Sequence, residues 1–420
     1  MEAAARREGM RIAARAVERK LNGDFSDCKG PVLPCSCGGR MRYEGRRSKT
    51  FTTVLGDMTL SRAYYHCEIC KESFVPRDQA LSIGGASLSP GVMRMTGLAA
   101  AMVSFEEASS LLADLAGVTV NAKQVERTAE ALGREMAEDE RSHVEPERDV
   151  ASTLYLGVDG TGIPVRKSEL TGRKGKQPDG TAKTREVKLC TVWSAESRDK
   201  EGHPIRDQGS VTYSAAIESA ASHDEAPFAK RVLREATRRG FDRATRQVVL
   251  GDGARWIWNL ANTYFPGAIE IVDRFHAKER LSEAAKAIYG TGSELGTQWA
   301  KARHEELDEG RLDELIRMLN IHTSSCDEAR KCRDYVRENR HRMRYPEFHA
   351  QGLCTSTGVV EAGCKLAIGT RLKRAGMHWS VEGADAIIAL RCTILSGRLE
   401  DFWERRATQA INRTAIAAVR

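Results

Sequence analysis

The sequence predicts a mixed-class protein: a cysteine-bearing, β-rich and then helical N-terminal region, followed by an α/β region that a long helical stretch interrupts. Three observations predict it. Short apolar runs (LYLGV before Asp159, Leu189–Trp193, Val248–Leu250, Ile269–Val272) read as strands separated by helical sequence. Two cysteine pairs before residue 71 bracket alternating, strand-like sequence. Between the regions, Glu135–Asp149 carries seven acidic and two basic residues with Pro146 near its end, a natural connector. The boundaries expected are 1–86 for an N-terminal helix and cysteine segment, 87–135 for a helical region and 136–150 for the acidic linker. The α/β core follows in two parts, 151–277 and 346–420, split by a helical insertion at 278–345.

Composition bounds the class. At 420 residues the chain is long enough for about three domains. A hydrophobic share of 41% and a charged share of 29% exclude general disorder, and no apolar run approaches a membrane span. The N-terminus lacks the apolar centre and cleavage site of a signal peptide, so a cytoplasmic protein is expected. The odd number of cysteines, 11, suits thiols or metal ligands in a reducing compartment. Net charge is only +7, but basic residues cluster. Residues 40–49 hold five against one acid, and Arg166–Lys188 eight against three. Arg231–Arg246 holds six against two, and Arg330–Arg344 seven against two. Several such surfaces suit a polyanionic partner, although solvated helix faces give the same pattern.

Cys35 and Cys37 precede Gly38-Gly39, and Cys67 and Cys70 form a C-x-x-C after TLSRAYYHC. Two cysteine pairs near turns, with strands between, match a four-thiolate zinc ribbon, in which the metal supports a segment too small for its own core. The C-x-C pair is the less usual half, and Cys28 and His66 are substitutes. Farther on, Phe105–Leu115 has helical apolar spacing, Gly117 ends it, and a second helix starts with Asn121 as N-cap. This is helix-turn-helix spacing, shared by any αα-hairpin. On that reading Lys123, Gln124 and Arg127 would face base edges.

Asp159 follows LYLGV and precedes Gly-Thr-Gly; Asp252 follows QVVLG and precedes a glycine and a helix. Acids at strand ends are either caps or ligand-site residues. Glu361 opens a helix that also carries Lys365, Arg371, Lys373 and Arg374. Three carboxylates from separate elements amid basic surfaces suit a two-metal phosphodiester site with Mg²⁺ or Mn²⁺. Spacing alone does not select these three among 58 acids.

The segments VDGTGIPV, GRKGKQPDGTAKTREVKL, GSVTYSAAIESA, LGDGARWIWNLA, IVDRFHAKERL and TGVVEAGCKLAIGTRLKRAGMHWSVEGADAIIALR together resemble the DDE transposases of bacterial insertion sequences, closest to the ISKra family, type four. The resemblance runs along nearly the whole chain. It implies a ribonuclease-H-like catalytic core interrupted by an all-α insertion, behind a zinc-ribbon-like and helix-turn-helix region. It assigns Asp159, Asp252 and Glu361 as catalytic, metal-holding residues, with two Mg²⁺ or Mn²⁺ ions. It implies hydrolysis and strand transfer at terminal inverted repeats, target DNA as second substrate, and a homodimer or larger assembly on the DNA ends. Asp273 and His276 look like the acid-x-x-His pair of similar enzymes, with no role assigned. Trp379, in GMHWS, is a residue for stacking on a base or for the core; Arg371, Lys373 and Arg374 would meet the DNA backbone. Glu382 and Asp385 are alternatives to Glu361.

Two other readings use the same residues. A phosphotransferase of the actin and sugar-kinase kind would cradle phosphate on the Asp159-Gly160-Thr161-Gly162 turn, but no second Gly-rich loop appears. A non-catalytic DNA-binding regulator would keep the zinc ribbon and helix-turn-helix over a decayed core.

Overall fold

A computed structural model describes residues 1–83, 86–146, 149–173, 175, 182–220 and 226–419, and gives side-chain positions up to 409 apart from residue 3. Two units divide the chain: residues 1–136 with 397–420, and residues 137–396.

In the first unit, helix α1 (Glu2–Asn22) lies on a four-stranded antiparallel sheet of β1 (Val32–Pro34), β2 (Arg40–Thr53), β3 (Gly56–Cys67) and β4 (Ser73–Phe74). Asn22 fastens it from both ends of its amide, donating to Thr59 O at 2.9 Å and accepting from Ser61 N at 2.8 Å. The long β2–β3 hairpin slips register between Tyr43 and Arg46, where Gly45 takes φ +98°, a β-bulge. The bulge turns Arg46 onto the buried Asp27 carboxylate at 2.9 Å, which also accepts Ala63 N at 2.8 Å and pairs with Arg77 at 3.2 Å. One apolar cluster beside the sheet joins Phe51, Leu60 and Ile83, with Leu21 and Leu81 against them. Helices α2 (Pro76–Ala80), α3 (Pro90–Met102) and α4 (Phe105–Leu111) follow. Ser104 and Glu107 make a capping box at the start of α4, and a π-helical turn, Leu112–Ala116, ends at Gly117 in the left-handed conformation. Helix α5 (Ala122–Ser142) begins at Asn121, whose side chain accepts Gln124 N at 2.9 Å. The C-terminal helix, Leu399–Val419, belongs to this unit, where Arg406 meets Glu135 at 2.7 Å.

The acidic stretch is therefore not a linker throughout. Its first residues continue α5 to Ser142, because their acids have partners: Glu140 accepts from buried Arg231 at 2.9 Å. Residues 147–148 of that stretch, and 174 and 176–181 of the basic loop Gly172–Thr184, lie outside the described residues. The sequence after Gly397, expected in the α/β core, groups with the first unit instead.

The second unit is built on a five-stranded sheet. Its strands are β5 (Thr153–Pro164), β6 (Thr184–Ser194), β9 (Thr212–Ala216), β10 (Arg246–Gly251) and β11 (Ile269–Val272), in the order β11-β10-β5-β6-β9. A two-stranded hairpin, β7 (Ser197–Arg198) with β8 (Pro204–Ile205), stands between β6 and β9 in the chain. β6 runs antiparallel to both its neighbours, β5 and β9; β10 and β11 run parallel to β5. Parallel strands need crossovers, and helices α6 (Pro227–Arg238) and α7 (Arg255–Tyr264) supply them. Thr153–Val158 is buried without alternation, as a strand covered on both faces requires. Beyond the sheet come α8 (Arg274–Tyr289), α9 (Glu294–Asp308), α10 (Leu312–Asn320), α11 (Asp327–Asn339) and α12 (Tyr345–Ala350). Helix α13 (Gly358–Gly363) then runs through a π-helical segment, Cys364–Gly369, into α14 (Thr370–Leu372), and α15 (Val381–Leu395) packs on β9. No helix among the described residues is long and apolar enough to cross a membrane.

A carboxylate cluster and a thiol cluster

Strand register brings the first two acids together. Leu250 pairs with Gly157 in the parallel β10–β5 ladder, so Asp252 stands level with Asp159, two residues further along each chain. Adjacent strands lie about 4.8 Å apart, and register mates point to one face. Gly251 pairs with Val272, which puts Asp273 level with Asp252. Asp252 and Asp273 thus follow the ends of β10 and β11, level with Asp159 inside the longer β5, on the edge of the sheet where ligand sites of α/β folds form.

Asp159 and Asp252 are half-buried, and among the described residues neither has an ion-pair partner. Asp159 accepts the N–H of Gly160 at 2.7 Å and faces the Cys364 thiol at 3.5 Å. Asp252 accepts Ala254 N at 2.9 Å, while Tyr335 of α11 donates to its backbone oxygen at 3.0 Å. Gly253 has φ +92°, and a Cβ there would come within 2.4 Å of the Tyr335 ring, so glycine lets the inserted helices close over this turn.

Glu361 comes from another element, and glycines seat it. A Cβ on Gly157 would come within 2.2 Å of Val360, and one on Gly363 within 3.0 Å of Tyr213 and Leu189. Helix α13 therefore rests directly on the strand that carries Asp159. His276 Nε2 is 3.5 Å from Glu361 Oε1. Burial pushes the Cys364 thiol far up, with the charges of Asp159 and Glu361 adding to the shift. The carboxylates form a wider set than one ion's ligands: among the described residues, the sets of three or more with all ligand atoms within 4.8 Å are four thiols and the exposed Asp199–Glu201–His203. In the latter, Asp199 accepts the N–H groups of Glu201 and His203 at 2.9 and 2.8 Å, which is ordinary turn bonding.

The thiols are those of Cys35, Cys37, Cys67 and Cys70. Sulfur separations of 3.4 Å (Cys35–Cys37), 3.5 Å (Cys35–Cys70) and 3.7 Å (Cys37–Cys67) approach the ~3.8 Å of a tetrahedral ion with bonds near 2.3 Å. The short C-x-C is made to work by its glycines: Gly38 takes φ +84°, and Gly39 O accepts Cys35 N at 3.0 Å. On the other side Lys71, at φ 64°, closes the second knuckle on Cys67 O at 2.9 Å. The backbone N–H of Cys70 holds the Cys67 thiol down at about 7, favouring the thiolate a metal needs. Cys28 lies by Tyr65 and His66 by Ser73, so neither substitute is used.

Several expected DNA contacts fall away. Arg371 is fully buried beneath the Trp379 ring, its guanidinium 5.0 Å from the ring centre. Trp379 is itself buried and donates to Leu372 O at 3.1 Å, so it is a core residue, unable to stack on a base. Asp385 is half-buried and accepts Ile217 N at 2.8 Å. Lys373 is exposed and donates to Thr161, two residues beyond Asp159; Arg374 is half-buried. Lys123 and Arg127 are exposed near the start of α5 and Gln124 is half-buried, with Lys123 paired to Glu126 at 2.6 Å. Nor is Asp159-Gly160-Thr161-Gly162 a phosphate-cradling turn: β5 continues through it, with Gly160 paired to Lys188 and Gly162 to Glu186.

Fold and clusters define a mixed α/β protein with a helical C-terminal part, a group of carboxylates on neighbouring parallel strands and four thiols close enough together to hold a metal ion. The chain belongs to an uncharacterised protein family, UPF0236, whose profile matches residues 39–407. No curated protein matches it.

Proposed function

We propose that the chain is a DDE transposase of an insertion sequence, built on a ribonuclease-H-like core. The observation that carries the reading is the register match of Asp159 and Asp252, with the Glu361 helix seated on the same strand through Gly157. The strand order, with three antiparallel strands and two more parallel to the first, supports the core assignment. The motif resemblance supplies the reaction class.

Asp159, Asp252 and Glu361 would hold two Mg²⁺ or Mn²⁺ ions, since register-matched carboxylates without a cationic partner call for a cation. Bound there, the ions supply a nucleophilic oxygen and charge neutralisation at the scissile phosphate. The chain's own part is to hold the carboxylates apart on separate elements and to keep the Asp252 turn covered by Tyr335. It also offers exposed Lys373 beside Thr161 to a phosphate. The substrates are the terminal inverted repeats and target DNA, with two chains holding two ends. The four thiolates would bind a structural zinc.

Cleavage of a labelled duplex carrying the element's own end, with Mg²⁺, tests the reading in the wild type and in Glu361→Gln. Cleavage by the wild type and its loss in the variant are expected. Cleavage by both removes Glu361 from the site. End binding without cleavage by the wild type turns the reading to a non-catalytic regulator.

A further inference from the structure

Asp273 stands level with Asp252 at the next strand end, yet its surroundings are unlike those of the other acids. It is 1% exposed, and both carboxylate oxygens are occupied. Oδ1 accepts His276 N at 2.7 Å, capping α8. Oδ2 accepts the Thr357 hydroxyl at 2.6 Å and the Thr357 backbone N–H as well. Three donors take three of the roughly four lone-pair sites of this buried carboxylate, so Asp273 is engaged with the protein backbone and Thr357 where Asp159 and Asp252 each accept a single backbone N–H.

Its partners explain its place. Thr357 is the residue before α13, and its carbonyl accepts the first bonds of that helix, from Val360 N at 2.8 Å and Glu361 N at 3.0 Å. A second strut runs beside the first, Arg274 N to Thr355 O at 2.9 Å. Asp273 N in turn donates to Gly251 O at 2.8 Å, next to Asp252. An unbroken run of short bonds thus leads from the Asp252 strand end through Asp273 and Thr357 to the backbone of Glu361.

We propose that Asp273 is the positioning residue of the carboxylate cluster: by fixing Thr357 it sets the first turn of α13, and so the place of Glu361 relative to Asp159 and Asp252. This rests on the reading of those three acids as metal ligands. Supporting groups behind a metal ligand are worth 10–100-fold in affinity. The same carboxylate also caps α8 and so sets where His276 leaves that helix.

The test uses the full chain, Mn²⁺ as probe read by its free-ion spin resonance, and hydrogen exchange at 358–369. Asn caps a helix as well as Asp, so Asp273→Asn spares α8 while removing an acceptor from Thr357. Thr357→Val removes only the hydroxyl bond, and Thr357→Ser restores it. The Mn²⁺ concentration for half-saturation should rise about 10-fold in Asp273→Asn, rise less in Thr357→Val, and return in Thr357→Ser. Exchange at 358–369 should quicken in the first two, with α9 and α10 unchanged. Wild-type affinity and exchange in folded Asp273→Asn would overturn the proposal; should that variant not fold, the same result in Thr357→Val would. If Asp159→Asn leaves Mn²⁺ binding intact, the metal reading of the acids is what fails, and exchange at 358–369 alone decides whether Asp273 sets α13.

Discussion

The thiol cluster and the carboxylate cluster solve opposite problems. Four sulfurs come from two knuckles of one small sheet, within reach of a single ion. The unit around them also leans on the Asp27 ion-pair hub. The carboxylates come from two strands and a helix of a sheet that buries its own core, and they stay apart. A closed tetrahedral set stabilises a fold, whereas an open, under-neutralised set leaves room for a substrate. The sequence presents both simply as side chains that bind metals.

Breaking the thiol side should have the largest effect on structure. Cys67→Ser with Cys70→Ser should abolish zinc binding, measured by elemental analysis, and remove exchange protection over 28–80, since a structural zinc supplies on the order of 10 kcal/mol. The carboxylate side should respond in the reverse manner. Asp159→Asn should cut DNA cleavage about 100-fold or more yet leave the thermal midpoint unchanged or slightly raised, because an uncompensated carboxylate contributes to chemistry and not to packing.

Smaller effects sharpen the contrast. Gly157→Ala should cost about 1–3 kcal/mol in urea unfolding, since Val360 must move, and should weaken cleavage along with stability. Asp207 provides a pH test confined to the second unit. Although burial opposes it, bonds from Ser194, Ser197 and the backbone of Glu196 hold this carboxyl down to about 2. A depressed acid stabilises above its unfolded value, near 3.9, and loses that contribution as pH falls toward 2. Asp207→Asn should therefore lower stability by about 1 kcal/mol at pH 7, a discounted figure for a part-exposed group, and the deficit should vanish near pH 2 in acid-unfolding curves.

Much was legible before the structure. Apolar runs announced β5, β6, β10 and β11, and helical periodicity announced the insertion, because both patterns are local. The Asn121 cap and the Gly117 stop were local too. What failed was environmental. Nothing in RLKRAGMHWS tells that Arg371 folds under Trp379, since burial of a cation depends on a partner reached through a turn. The acidic run read as a linker because the partner of Glu140, Arg231, lies far along the chain.

The sequence by itself determined the residue types and their local settings: thiols beside turns, acids after apolar runs, a glutamate in a first helical turn. Only tertiary structure decided which of them meet. Register is a property of paired strands, and it alone puts Asp252 level with Asp159. Seating α13 required glycines on two elements to face bulky side chains on others. Asp273 shows the division most plainly. In sequence it is one more acid at a strand end, and the fold turns it inward, where three donors make it a support for its neighbours.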